Sequence, residues 1–256
     1  MNFIHSFRAE WLKKKRSLSA WLIVAGAFFT PLIVLIARLV HYKSLPAINA
    51  AGDFWESLWR SSWESMSIFL LPMIVILSAS LVTQLEYKNN TWKQLHTTPQ
   101  TFTTIYFAKL SVIIIMIAEF FILFNIGIYL SGIIPGMFIK GVPFPNKNIP
   151  YTFFFTENVK YFIECLPIIS LQYLVSLLFK NFLVPVGVGI ALWILSIAVI
   201  SWQYGYFIPY TYDTLHYLRN EGKFRQDIQI DLYALFYFLL FLSTGYILYL
   251  KKSEKG

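Results

Sequence analysis

Long apolar stretches alternate with short polar ones along this chain, and their lengths already predict its elements. A hydrocarbon layer about 30 Å thick takes about 20 helical residues at about 1.5 Å each. Six runs reach that order, at 18–40, 64–84, 103–130, 161–180, 182–203 and 231–250. None shows the period of two that a barrel strand needs. Because backbone groups in lipid must be satisfied within the segment, each run predicts a transmembrane helix. Pro31, Pro72, Pro167 and Pro185 fall inside spans or near their ends, where kinks are tolerated. The expectation is an all-α polytopic membrane protein, with residues 1–256 forming one transmembrane domain. Residues 18–40 are too long for the apolar core of a signal peptide and no small-x-small site follows directly, so they read as an uncleaved first span.

The polar segments carry patterns of their own. In "MNFIHSFRAEWLKKKRS", Phe3, Ile4, Phe7 and Trp11 recur at helical spacing, while Arg8, Lys13, Lys14, Lys15 and Arg16 lie elsewhere on the wheel. This predicts an amphipathic helix over 1–17 lying in the membrane interface, rings down and cations toward the headgroups. Such a helix serves either as a topology anchor or as a brace for a partner protein.

Between the second and third runs stands "QLEYKNNTWKQLHTTPQ". Asn89 or Asn90 caps a helix that starts near Thr91, and Pro99 stops it after about two turns, a length marginal in water without a partner. Trp92 and Leu95 share its apolar face. That face suits a headgroup anchor or a groove on another protein, and residue chemistry alone leaves both readings open.

Composition supports the membrane reading. Hydrophobic residues make up 57% of the chain and charged ones 13%, against about a quarter charged in soluble proteins. The net charge of +8 does not mark a nucleic-acid surface, since the cations sit in small groups beside apolar runs. Placing the N-terminus inside gathers Arg8, Lys13 to Arg16, Lys88, Lys93, Lys109, Lys180, Lys251, Lys252 and Lys255 on the cytoplasmic side, with Glu10, Glu86 and Glu254 as its acids. The remainder of the chain has no positive excess, so both termini are expected in the cytoplasm. The outer connections, 41–63, 131–160 and 204–230, are longer and aromatic. Pro135, Pro143, Pro145 and Pro150 interrupt any regular helix in the second, and the third has room for a short helix before the last span.

Catalytic signatures are missing. No Gly-rich phosphate loop ends in Gly-Lys-Ser/Thr, and there is neither a His-Glu-x-x-His pair nor a Gly-x-Ser-x-Gly elbow. A lone Cys165 precludes an internal disulfide and multi-cysteine metal sites, so no enzyme, cofactor or metal role is expected of this chain. Two polar residues in the spans stand out. Glu119, in "IIIMIAEFFILF", is too costly to face lipid when ionised, and Gln172 makes the fourth span polar. Each reads either as a tie between helices or as part of a translocation path or dimer face. Glu164, four residues after Lys160, reads as a surface or interfacial pair, and Trp63, Tyr129, Tyr161 and Trp202 as an aromatic belt.

Two of these segments together carry a resemblance. "FRAEWLKKKRS", before the first span, and "EYKNNTWKQLHTTPQTFTTIYFAK", which leads into the third, resemble the permease subunits of type-2 ABC transporters, closest in style to the six-span permeases of lantibiotic-protection systems. The likeness is best over 1–115. It implies a cytoplasmic coupling helix between spans two and three, with Glu86, Asn90, Thr91, Trp92, Lys93, Leu95, Pro99 and Lys109 docking on a separate ATPase dimer that holds ATP and Mg. It also implies a second permease, location in the inner membrane, and export of an amphipathic peptide or other hydrophobic cargo, as in antimicrobial peptide resistance. From another class, the chain reads as a non-transporting anchor or mechanotransmitting part of an envelope assembly driven by such an ATPase.

Overall fold

The computed structural model describes residues 3–15, 17–88, 101–145, 148–223 and 228–253. Among these residues the chain is helical, with no strand. The N-terminal helix α1 (Phe3–Lys15) turns at Ser17 into α2 (Leu18–Val40). Ser17 makes that turn by donating both its N–H and its hydroxyl to the Lys14 carbonyl. A short helix α3 (Leu45–Ala50) follows, then α4 (Phe54–Ser65), which passes through a π-helical turn at Met66–Leu70 directly into α5 (Leu71–Lys88). The next helices are α6 (Phe102–Phe138), α7 (Tyr151–Leu178) and α8 (Leu183–Val199). Two 3-10 turns lead to α9 (Tyr212–Asn220), and the chain ends on α10 (Ile230–Ser253).

Among the described residues five helical stretches are long and apolar enough to cross a membrane: Leu18–Val40, Phe54–Leu85, Phe102–Phe138, Tyr151–Leu178 and Ile230–Lys251. The remaining expected span, 182–203, is a 17-residue helix, α8, that gives way to turns after Val199. α6 has 37 residues, about 55 Å at about 1.5 Å each, and therefore outruns a hydrocarbon layer of about 30 Å. It runs through Pro135 because that proline lies in the last turn, where its missing N–H forfeits only one helical bond. The helix thus extends eight residues beyond the expected boundary at 130, and α7 starts ten residues before the expected 161, with Pro150 as its cap.

α2 packs along α6, and α7 lies against both α5 and α10. Close approach of α2 and α6 depends on Gly127, where a Cβ would stand 2.8 Å from the Pro31 ring. The centre of the bundle is aromatic. Trp63 and Tyr161 stack at 3.9 Å and are both 0% exposed, with Trp59, Phe121 and Phe124 around them. These two rings are core rather than belt, because the long α4–α5 rod carries its tryptophans inside the bundle. Tyr129 and Trp202 remain on the outside. The outward faces of α2 and α10, with Trp21, Leu32, Ile36, Phe236 and Leu239, present apolar side chains to the surroundings, as lipid contact demands.

Candidate functional site

Helix α1 lies at one end of the bundle, its proximal end. On α1, Ser6, Glu10 and Lys14 follow one another at four-residue steps and are buried together. Phe7 and Trp11, stacked at 5.9 Å, flank that line and pack on the core. The buried stripe is charged because α6 meets it with charges of its own. Lys109 donates to Glu10 Oε2 at 2.8 Å, Lys13 donates to Glu10 Oε1 at 2.5 Å, and the Lys14 ammonium pairs with Glu119 while lying 4.1 Å from the Trp11 ring centre. Burial raises the pKa of the Glu10 carboxyl, but the Lys109 and Lys13 ammoniums outweigh it and hold Glu10 below the usual carboxylate range.

This arrangement reverses part of the expected wheel. Lys14 points into the bundle, and Phe3 and Ile4 lie on the exposed side. The reason is that Glu119 needs a counter-charge, which the helical wheel of α1 alone does not contain. Lys13 and Lys15 are exposed.

The expected docking residues divide. Asn90, Thr91, Trp92, Lys93, Leu95 and Pro99, and Arg16 of the interfacial helix, lie outside the described residues. Glu86 is in the last turn of α5, and Lys109 is in the second turn of α6. Lys109 is 2% exposed, so its ammonium is held inside against Glu10 rather than offered to a surface. Thr101 caps α6 by accepting from the Thr104 N–H, starting the helix immediately beyond the polar segment.

Gln172 lies far from this network, at a meeting of elements. Its Nε2 donates to Ser80 Oγ at 2.9 Å and to the Pro185 carbonyl at 2.7 Å, while Tyr210 donates to its Oε1 at 3.3 Å. It thereby ties α5, α7, α8 and the 3-10 turn Pro209–Thr211 together.

The other end of the bundle, the distal end, holds a cluster that sequence reasoning missed. His216 on α9 lies between two α7 carboxylates, with Nδ1 2.8 Å from Glu164 and Nε2 2.9 Å from Glu157. Lys160 and Asn220 complete Glu157, and Tyr161 packs on the imidazole at 4.4 Å. Lys160 thus pairs with Glu157 and not with Glu164, which is fully buried. Burial favours neutral imidazole, but Glu164 and Glu157 prevail and lift the His216 pKa to about 9. Neighbouring Asp213 is wholly buried with both oxygens unpartnered, and burial pushes its carboxyl well above the usual carboxylate range. The available clue was the Glu157–Glu164 spacing of seven, which puts two acids on one helix face and calls for a cation. Among the described residues no three His, Cys, Asp or Glu side chains are grouped to hold a metal ion. The cluster is therefore an ion-pair fastening of α9 to α7.

The family profile described as ABC-2 family transporter protein matches residues 6–196. That range covers most of α1, the polar segment between α5 and α6, and nearly all of α8. No curated protein and no solved structure matches the chain.

Proposed function

Because the chain belongs to the ABC-2 family of transporter proteins, as a membrane permease subunit that works with a partner ATPase, we propose that it exports an amphipathic peptide or another hydrophobic molecule drawn from the bilayer. On this reading α8 is the sixth span, both termini face the cytoplasm of the inner membrane, and two permease chains stand on two copies of the ATPase. The Trp92/Leu95 segment docks on the ATPase, and α1 lies along the interface beside it.

The observation that supports this mechanism best is the double charge tie between α1 and α6 through Glu10–Lys109 and Lys14–Glu119. α5 ends directly before the docking segment and α6 begins directly after it, so a displacement there reaches both helices. With its ion pairs intact, α1 follows α6 as one body, since parting them would take the counter-charge from the buried Lys14 ammonium. The energy comes from nucleotide binding more tightly to one ATPase arrangement than to the other. Exporter function is tested by reconstituting the permease with its ATPase in vesicles and measuring hydrolysis and peptide efflux. Efflux that needs ATP supports it. Hydrolysis that no peptide or lipid stimulates, with nothing moved, overturns it.

A second reading has one observation in its favour, the ion pairs of His216 with Glu157 and Glu164 that fasten α9 to α7 at the distal end. A permease braced in this way would instead pass mechanical work to envelope partners. The same vesicles select this reading if hydrolysis continues without efflux but depends on an added envelope protein.

A further inference from the structure

Near the distal end of α2 a cavity of about 440 Å³ opens between the last turns of that helix, α3 and α4. Its walls are largely apolar, from Val34, Leu45, Ile48 and Leu58, and Arg38 lies among them at 8% exposure. The guanidinium is held in place on two sides. Its Nη2 donates to Asn49 Oδ1 at 2.8 Å, with a longer 3.5 Å contact to the Gly132 carbonyl, and it stacks 4.9 Å from the Phe54 ring centre. Asn49 is itself fixed by donating to the Pro143 carbonyl at 2.7 Å. No carboxylate among the described residues makes an ion pair with Arg38, and its Nε is enclosed without any partner.

An arginine stays charged in proteins, and a buried cation without a counter-charge is expensive. The cavity therefore calls for an anion, and the fork of the guanidinium matches phosphate oxygens. Asp53 lines the same cavity on its exposed side, unpaired with Arg38, and so offers a carboxylate to a positive group. Next to the cavity's Val34 and Ala37 on α2, Ile33 and Ile36 are exposed and offer an apolar face to an acyl chain. We infer that this cavity binds a zwitterionic phospholipid headgroup, with its phosphate at Arg38, its ammonium at Asp53 and its chains along α2.

The test is lipid retention by the full-length permease purified into nanodiscs of mixed phosphatidylethanolamine, phosphatidylglycerol and phosphatidylcholine, read by mass spectrometry. Phosphatidylethanolamine is expected to be enriched over the bulk. Arg38→Gln should lower its retention about tenfold, the worth of one charge-assisted contact, and Arg38→Lys should restore part of it. Asp53→Asn, at an exposed position that folding tolerates, should abolish the preference for phosphatidylethanolamine over phosphatidylglycerol. Retention that ignores both positions overturns the assignment. So does displacement of the lipid by millimolar inorganic phosphate in detergent, which would mark a site for a soluble anion.

Discussion

The Lys109 ammonium lies 2.8 Å from the Glu10 carboxylate, across 99 residues of chain, and both side chains are closed off from solvent. Helix α1 is therefore part of the bundle, fastened to α6 by opposite charges. Removing one partner should be worse than removing both. Glu10→Gln or Lys109→Met is expected to cost about 1–3 kcal/mol, because a charge-assisted hydrogen bond between two buried groups is lost, while the double variant recovers part of the loss. Thermal unfolding of the four proteins in detergent measures the coupling, and additive losses would contradict it.

The Lys14–Glu119 pair should control how tightly α1 stays down. Glu119→Gln is expected to raise amide exchange over residues 3–15 about tenfold, with α7 unchanged. Exchanging the charges, as Lys14→Glu with Glu119→Lys, should return protection toward its original level. If exchange and transport are both indifferent to Glu119, its proposed role as a mechanical tie is wrong.

Docking through the polar segment predicts a different signature for Trp92→Ala. Folding and spans should be preserved, while ATPase co-purification or the link between hydrolysis and efflux is lost. An unaltered complex with unaltered coupling would leave Trp92 as a headgroup anchor.

The distal cluster should make stability fall in alkali. Folding raises the His216 pKa from 6.5 to about 9, so the charged imidazole favours the folded state fully below about 6.5. That contribution, on the order of 3 kcal/mol, fades as pH rises through about 9. Melting temperature followed from pH 6 to 10 should drop in this window, and His216→Asn should flatten the drop while lowering stability at pH 6.

Packing of α8 depends on Gly189, where an added Cβ would stand 2.7 Å from Ile76 Cγ2 and 2.8 Å from Gln172 Oε1. Gly189→Ala should destabilise the bundle by about 1–3 kcal/mol through overpacking. Combined with Gln172→Ala, which vacates space, it should cost less than the sum of the two single changes. Unfolding measurements on the single and double variants decide this.

Much of the architecture was legible in one dimension. An apolar run of twenty residues has few fates, because lipid offers no hydrogen bonds and a helix satisfies its own backbone. The first span, 18–40, accordingly coincides with α2, and the short helix expected before the last span is α9. The polar segment with Trp92 and the cationic N-terminus carried the family resemblance, and the matched profile over 6–196 agrees at the level of an ABC-2 permease. Boundaries were less legible. α6 and α7 extend into proline-rich sequence, since prolines at helix ends disturb little.

Charge pairing was beyond the sequence. Glu164 pairs with His216 and not with its neighbour Lys160, Lys14 turns inward to Glu119, and Trp63 stacks on Tyr161 inside the core instead of marking a membrane boundary. Hydropathy is a property of each segment by itself, so the sequence alone determined a helical membrane protein and the extent of its first span. Which cation neutralises which acid depends on two helices meeting at a particular rotation and height. A buried charge without its partner is costly, so the ties at Glu10 and His216 are sharply defined in three dimensions, and only the tertiary structure decided them.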